Sequence, residues 1–419
     1  MQHRTTSHLG LTWVLVSVGG VLLATGLTSC ASDCTPPHTL QPQELVGNAV
    51  SSANDFNPSV HRYSRVEFTI HYLISEDVGP SFQWPTIPPG AKIVGTPGAS
   101  SVAIRLADKG GPLCVQAKSE CGDSNALCKD LVIDPQPWWT ALDEFPGGDR
   151  MHMSPSFTVG NKAYVGAGTS KALSGHKDWW EFDFGTFVWT RKQDIPDVGV
   201  VGGGAGGVFQ GFLLGTRIFL VTNEGHLWEY VPGSDAWQPR ANYPGTLADS
   251  ARFFGAGGLG VGGLPAWPSF APIREVWTYD PGTNKWTKRA DFAGPESGIP
   301  QGGIGFQIGE RGFLGWGEDK FHQKHKVIWE YVPATDQWST VASVGFVTTD
   351  YLTTFQGRAL FAVDGGIKAW SPAAGEGKFL SHPFLGELPG CFANDKFVVE
   401  VGGTQGQPST NGFVFLFNE

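Results

Sequence analysis

Short stretches of alternating hydrophobic and polar residues, the signature of half-buried β-strands, punctuate this chain. Val66, Phe68, Ile70 and Tyr72 fall on one face of such a strand, with Glu67, Thr69 and His71 on the other. Val102, Ile104 and Leu106 repeat the alternation, and Leu113 and Val115 form another short strand. A turn at Cys121-Gly122-Asp123-Ser124-Asn125 leads to Leu127, Leu131 and Ile133. Residues 59–135 therefore predict a compact all-β unit near the size of a sandwich. The preceding stretch, 30–58, is polar, contains proline and has no period, and reads as a tether.

From Pro137 onward the pattern itself repeats. One series runs Trp179-Trp180-Glu181-Phe182-Asp183, Leu227-Trp228-Glu229-Tyr230-Val231, Val276-Trp277-Thr278-Tyr279-Asp280 and Ile328-Trp329-Glu330-Tyr331-Val332. Trp180, Trp228, Trp277 and Trp329 align, at steps of 48, 49 and 52 residues. A second series follows each copy: Trp189-Thr190, Trp237-Gln238, Trp286-Thr287 and Trp338-Ser339. A third, a tight turn entering an apolar strand, precedes three of them at Gly160-Asn161, Gly215-Thr216 and Gly309-Glu310. Weaker copies run from Arg358 to Pro372 and from Lys396 to Phe417. A period of about 50 residues matches the Kelch repeat, one four-stranded propeller blade.

On these motifs, residues 137–419 resemble a Kelch-type β-propeller of six blades. The last copy ends after its third strand. Trp138-Trp139-Thr140-Ala141-Leu142, followed by Phe145-Pro146-Gly147, matches Trp286 to Ala290 followed by Phe292. The strand at 138–142 is therefore expected to complete the sixth blade and close the ring, protecting the sheet edges. The repeated Trp residues are expected to pack between blades, and Cys391, aligned with Phe157 and Phe306, to be a buried, inert thiol.

Phe82-Gln83-Trp84-Pro85, Pro88-Pro89-Gly90-Ala91-Lys92-Ile93 and Ser119-Glu120-Cys121-Gly122 resemble the PKD-like, Ig-like modules of bacterial surface proteins. That resemblance implies a spacer or adhesion module without chemistry. If the hairpin turn centres on Cys121, facing residues have numbers summing to 242, as Cys114 with Cys128 and Val115 with Leu127 do. A cross-strand disulfide Cys114–Cys128 is one expectation, provided the separation fits disulfide geometry. Pairing of Cys121 with Cys34 is the competing one.

The N-terminus bears on compartment. His3 and Arg4 precede an apolar run from Leu9 to Leu27 without charge, which ends in Leu27-Thr28-Ser29-Cys30. This is the layout of a secretory signal over residues 1–29. The last four residues resemble the lipobox of bacterial lipoproteins, which implies acylation of Cys30. An uncleaved membrane helix is the alternative, since the run is about long enough to span. Either way the remainder is expected outside the cytoplasm. Ala31 after the Cys, by the same resemblance, implies an outer-membrane destination on either face.

Composition narrows the function. Glycine is abundant (58 residues) and charge is low at 16%, against about 25% in ordinary domains, which favours short strands and turns over long helices. A net charge of −10 weighs against nucleic-acid binding, which needs a cationic face. There is no Gly-x-Ser-x-Gly, P-loop or dinucleotide-binding motif, so no catalytic residue and no cofactor are assigned.

Candidate ligand-binding residues lie on the face carrying the interblade loops and the loops between second and third strands. Those loops are long at Ala167–Lys177, Leu264–Arg274 and Glu318–Lys326, and short at Asn223–His226 and Asp364–Gly366. Variable loops on a repetitive frame are the usual form of a binding face. Glu318, Asp319, His322 and His325 form its most polar stretch, but their spacing fits no dedicated metal motif. His176 and Lys177 hold the matching place in the first blade, and Arg150, Arg252 and Glu296 fall near inner strands or interblade loops. The expectation is an exported, lipid-anchored binding or scaffold module for a protein or glycan at the cell envelope. A carbohydrate-active enzyme such as a sialic-acid mutarotase is the alternative, and it would need acid and base groups converging near the axis.

Overall fold

The computed structural model describes residues 24–25, 41–42, 44–49, 65–71, 81–95, 101–119, 122–123, 126–133, 139–142, 145–148, 156–168, 176–196, 210–222, 224–246, 252–263, 274–294, 304–315, 325–346, 350–363, 366–377, 380–381, 390–401 and 412–416. The chain forms two compact units, residues 1–142 with 418–419, and residues 143–417. Among the described residues no helix is long and apolar enough to cross a membrane.

The first unit is a β-sandwich. One antiparallel sheet orders Glu44–Ala49, Arg65–His71, Ser101–Arg105 and Lys92–Val94. The other orders Leu127–Leu131, Gly111–Ser119 and Ser81–Thr86, with Gly122–Asp123 also on Gly111–Ser119. Their inward residues form one core: Val66, Phe68, Val102 and Ile104 from the first sheet, Phe82, Leu113, Val115 and Leu131 from the second. The hairpin register opposes Cys128 to Cys114 and Leu127 to Val115. Cys114 and Cys128 form a disulfide. Cys34 and Cys121 lie outside the described residues.

One boundary differs from the expectation. Glu44–Ala49, inside the stretch read as a tether, is a sheet strand paired with Arg65–His71. Its alternating set is only Leu45, Gly47 and Ala49, two of them small, so the hydrophobic period is too faint to read.

Six sheets make the β-propeller. Five are antiparallel meanders in chain order. Blade one holds Phe157–Val159, Lys162–Gly166, Trp179–Asp183 and Val188–Lys192. Blade two holds Gln210–Leu214, Arg217–Val221, Leu227–Val231 and Ala236–Pro239. Blade three holds Arg252–Ala256, Leu259–Gly263, Val276–Asp280 and Lys285–Lys288. Blade four holds Ile304–Ile308, Arg311–Gly315, Val327–Val332 and Gln337–Ser343. Blade five holds Asp350–Phe355, Arg358–Val363, Gly366–Ser371 and Gly375–Glu376, with Leu380–Ser381 also on its third strand. The sixth sheet has the order Trp139–Ala141, Gly412–Leu416, Phe397–Val401, Gly390–Ala393.

The register explains the repeat. Phe182 opposes Trp189, Tyr230 opposes Trp237, Tyr279 opposes Trp286 and Tyr331 opposes Trp338. The aligned Trp180, Trp228, Trp277 and Trp329 thus share one structural place. Blade five departs from this: Trp370 opposes Ala359, as Tyr331 opposes Gly312 in blade four, so it fills the Tyr place. Gly160, Gly215 and Gly309 turn the first strand into the second at φ near +60°, a region costly for a side chain carrying Cβ (+61°, +61° and +59°).

Two recurring devices fasten blade to blade. In blades two to four the turn between third and fourth strands has a left-handed residue, Asp235, Asn284 or Asp336. Its Oδ1 accepts the hydroxyl of Tyr230 (2.8 Å), Tyr279 (2.8 Å) or Tyr331 (2.7 Å) from the same blade. The same side chain also accepts, on Oδ1 or Oδ2, a backbone N–H leaving the preceding blade: Gln193 to Asp235 (2.9 Å), Ala241 to Asn284 (2.9 Å), Ala290 to Asp336 (3.0 Å). Trp237 and Trp286 donate their indole N–H to the carbonyls of those same residues, Gln193 and Ala241.

The second device is apolar. Six residues past the fourth-strand Trp of one blade, an aromatic ring packs on the third- and fourth-strand Trp of the next. Tyr243 packs on Trp277 and Trp286, and Phe292 on Trp329 and Trp338. Phe292 folds so closely over Gly294 that a Cβ there would collide with its ring.

Candidate functional site

The face named by the sequence starts where each second strand hands over to the third. Four equivalent backbone bonds anchor it. The N–H of Ile195, Tyr243, Phe292 and Val344, just past the fourth strands, donates to the carbonyl of Lys177, Gly225, Arg274 and Lys326. The loop before each third strand is thereby tied to the connection leaving its own blade. The same places explain two of the basic side chains. Arg274 donates to the Phe292 and Gly294 carbonyls (2.9 and 2.8 Å), and Lys326 Nζ reaches the Gly345 carbonyl at 3.5 Å.

In blade one, His176 and Lys177 hold the same places as His325 and Lys326 in blade four, four and three residues before the aligned Trp. His176 N–H donates to the Gly168 carbonyl, and its Nδ1 lies 4.0 Å from Asp178 Oδ1. Asp178 is buried, and its Oδ2 accepts the Trp180 indole N–H at 2.6 Å. Arg191 lies 5.7 Å over the Trp180 ring. Blade one thus presents an imidazole, a carboxylate, an indole and a guanidinium in one patch. Lys177 is exposed, His325 is half-buried, and Arg252, also half-buried, begins the innermost strand of blade three. Arg150, Glu296, Glu318, Asp319 and His322 lie outside the described residues, as does Cys30. The structure therefore brings His176 and Lys177 together in one blade and His325 to the matching place in another.

The buried carboxylates of the repeat serve the frame. Lys162, Tyr164 and Lys192 surround Glu181. Arg217 holds Glu229 in a fork (2.6 and 2.9 Å), and Arg240 joins it. Burial pushes the Glu229 carboxyl up, but the hydrogen bonds from the two guanidiniums outweigh it and hold the group below its ordinary range. Glu181 behaves likewise, with Lys162 and Tyr164 supplying the compensating bonds. Arg311 forks onto Glu330. Blade three replaces the Glu by Thr278, whose hydroxyl accepts from Arg289.

One buried acid escaped the sequence reading. Glu400 is 4% exposed and opposes Cys391, in the slot that Leu220 holds opposite Gly211 and Leu314 opposite Gly305. Phe392, opposite Val399, and not Cys391, takes the place of Phe157 and Phe306, because the hairpin closes at Asn394 and Phe397. A carboxylate in a register slot held by leucine in blades two and four was the available signal. Cys391 is free and buried, and burial, with Glu400 beside it, holds its thiol well above the ordinary value. Among the described residues no three His, Cys, Asp or Glu converge as a metal site.

No family model matches the chain, and no curated protein matches it. Among solved structures, that of YjhT is similar at 14% identity over 66% of this chain and 97% of that one, with a TM-score of 0.48.

Proposed function

We propose that this protein is an exported, lipid-anchored Kelch-repeat propeller that binds a protein or glycan at the cell envelope through its loop-bearing face. One observation carries the reading: the buried acids Glu181 and Glu229, with Glu330, are held in ion pairs inside their blades, while the loops before the third strands differ in length on a common anchor. A frame that satisfies its own charges and presents unequal loops is built for recognition. Acylation of Cys30 would hold it on a bilayer, since several acyl chains together anchor stably. The sandwich unit serves as a PKD-like spacer.

The test is a thermal-shift screen of residues 31–419 against sugars, sialic acids and divalent metals. Binding to the native state raises the melting temperature in a saturable way. A sugar-dependent rise lost in a His176→Ala/His325→Ala variant supports recognition at these loops. A rise accompanied by chemical conversion of the sugar overturns the binding reading in favour of an enzyme.

A further inference from the structure

One tyrosine hydroxyl of the propeller does nothing for the frame. Tyr164, Tyr230, Tyr279, Tyr331 and Tyr351 each have a hydroxyl partner. Tyr243 is 5% exposed, and among the described residues its hydroxyl has none. Packing does not call for that oxygen. The place six residues past the fourth-strand Trp is held by Phe145, Ile195, Phe292 and Val344 in the other connections. A buried hydroxyl left unpaired is destabilising, so the fold alone does not account for it. A second donor stands beside it, since the Trp277 indole N–H is also buried without a partner among the described residues. A Cβ on Gly245 would strike both the Tyr243 hydroxyl and Trp277 Nε1, so the two donors converge on one point. In blade one the matching indole, Trp180, is answered by Asp178, two residues before it. Glu275 has that place before Trp277, yet its Oε1 accepts the Thr246 N–H instead. Glu275 follows Arg274, where the long loop of blade three is anchored. Its charge also acts on the Tyr243 hydroxyl, adding to burial in raising that group's pKa.

We propose that Tyr243, Trp277 and Glu275 form a subsite for one hydroxyl of an uncharged sugar, covered by Gly245–Thr246 until the sugar takes the place of Thr246 on Glu275. A hydroxyl has two acceptor lone pairs and one donor. It therefore answers both the Tyr243 O–H and the Trp277 N–H while donating to the Glu275 carboxylate. The same carboxylate repels an acidic sugar, which makes the subsite selective for neutral ones. The inference rests on the reading that the loop-bearing face meets a glycan, and it names the chemistry by which that glycan is read.

Calorimetric titration of residues 31–419 with methyl glucoside, methyl galactoside, N-acetylglucosamine and glucuronic acid tests this, alongside melting curves of the ligand-free chain. At least one of the three uncharged sugars is expected to bind, and glucuronic acid to bind more weakly. Tyr243→Phe is expected to weaken the uncharged sugar about tenfold or more. Its ligand-free melting temperature should be unchanged or higher, because phenylalanine already fills the matching place at Phe145 and Phe292. Glu275→Gln should narrow the gap between the uncharged and the acidic sugar. A lower ligand-free melting temperature in Tyr243→Phe overturns the proposal, since the hydroxyl would then already be bonded, as to a resident water. Sugar binding untouched by Tyr243→Phe but lost in His176→Ala/His325→Ala overturns the subsite and leaves recognition by the loops standing. Binding of none of the sugars also overturns the subsite, while retention of the chain on envelope fragments would still support recognition of a protein there.

Discussion

Phe145 meets Trp189 edge to face, with ring centroids 5.1 Å apart and planes at 72°, and meets Trp180 in the same way at 6.0 Å. This is the relationship that Tyr243 has with Trp286 and Trp277, and Phe292 with Trp338 and Trp329. Phe145 is six residues past Trp139, as Phe292 is past Trp286. The segment before blade one therefore occupies the place of a connection leaving a preceding blade.

Removing that ring should loosen the whole array. Phe145 is 1% exposed, and Phe→Ala in a packed core costs about 3–5 kcal/mol. Phe145→Ala is expected to lower the urea midpoint of the propeller by that much stability. Val188→Ser, at a side chain 55% exposed, is expected to change it by less than about 0.5 kcal/mol.

Acid should weaken the frame through its paired carboxylates. Glu181 and Glu229 have folded-state pKa values below the ordinary 4.5. Their contribution is complete above the unfolded value and is lost as pH falls through the folded one. Glu229→Gln is expected to cost about 1–3 kcal/mol at neutral pH, because Arg217 and Arg240 lose the negative charge and one of the two acceptor oxygens. Its stability should then fall less steeply than the wild-type curve on acidification below about pH 4.5. Parallel curves would exclude this role for Glu229.

The polar clasps can be separated from the turn that holds them. Tyr331→Phe removes only the 2.7 Å bond to Asp336 and is expected to cost about 1 kcal/mol. Asp336→Ala also strips the acceptor from the Ala290 N–H and places alanine at φ +52°, so it should cost at least about twice as much. Asp336→Asn keeps an acceptor and a side chain tolerant of that conformation, and should recover most of the loss. Denaturant titration of the three variants reads the order directly.

The sandwich should depend on its cross-strand bond. Cys114 and Cys128 close a loop of 14 residues' separation, for which the chain-entropy estimate is about 3 kcal/mol. In the Cys114→Ala/Cys128→Ala chain, hydrogen exchange is expected to rise in peptides covering 65–71 and 101–119, with little change at 210–222.

Much of this architecture was readable from spacing. Trp180, Trp228, Trp277 and Trp329 mark the third strands because each must fill the same place in its blade. Centring the turn on Cys121 placed Cys114 opposite Cys128, although the pairs nearest the turn, Ser119 with Gly122 and Lys118 with Asp123, are shifted by one residue from that register. Other features left no period to find. The Glu44–Ala49 strand is too short and small-residued to alternate visibly. The Tyr–Asp clasps pair residues five apart through a left-handed turn, which hydrophobicity does not encode. Glu400, and Phe182 and Phe187 where blades two to four carry Tyr and Asp or Asn, were visible only as departures from the repeat, and a departure gains meaning once the register shows what it replaces. The site was less legible than the frame, since Arg274 and Lys326 turned out to hold carbonyls of their own blades.

The central claim is that the unequal loops, and not the frame, recognise the envelope. Co-sedimentation of residues 31–419 with purified outer-membrane and cell-wall fragments tests it most directly. A variant in which 264–273 and 318–325 are each replaced by the short blade-two stretch 223–224, keeping the anchors Arg274 and Lys326, serves as the partner. Saturable retention of the first chain, lost in the second at unchanged melting temperature, is the expected result. Equal retention of both chains, or retention of neither, would contradict it.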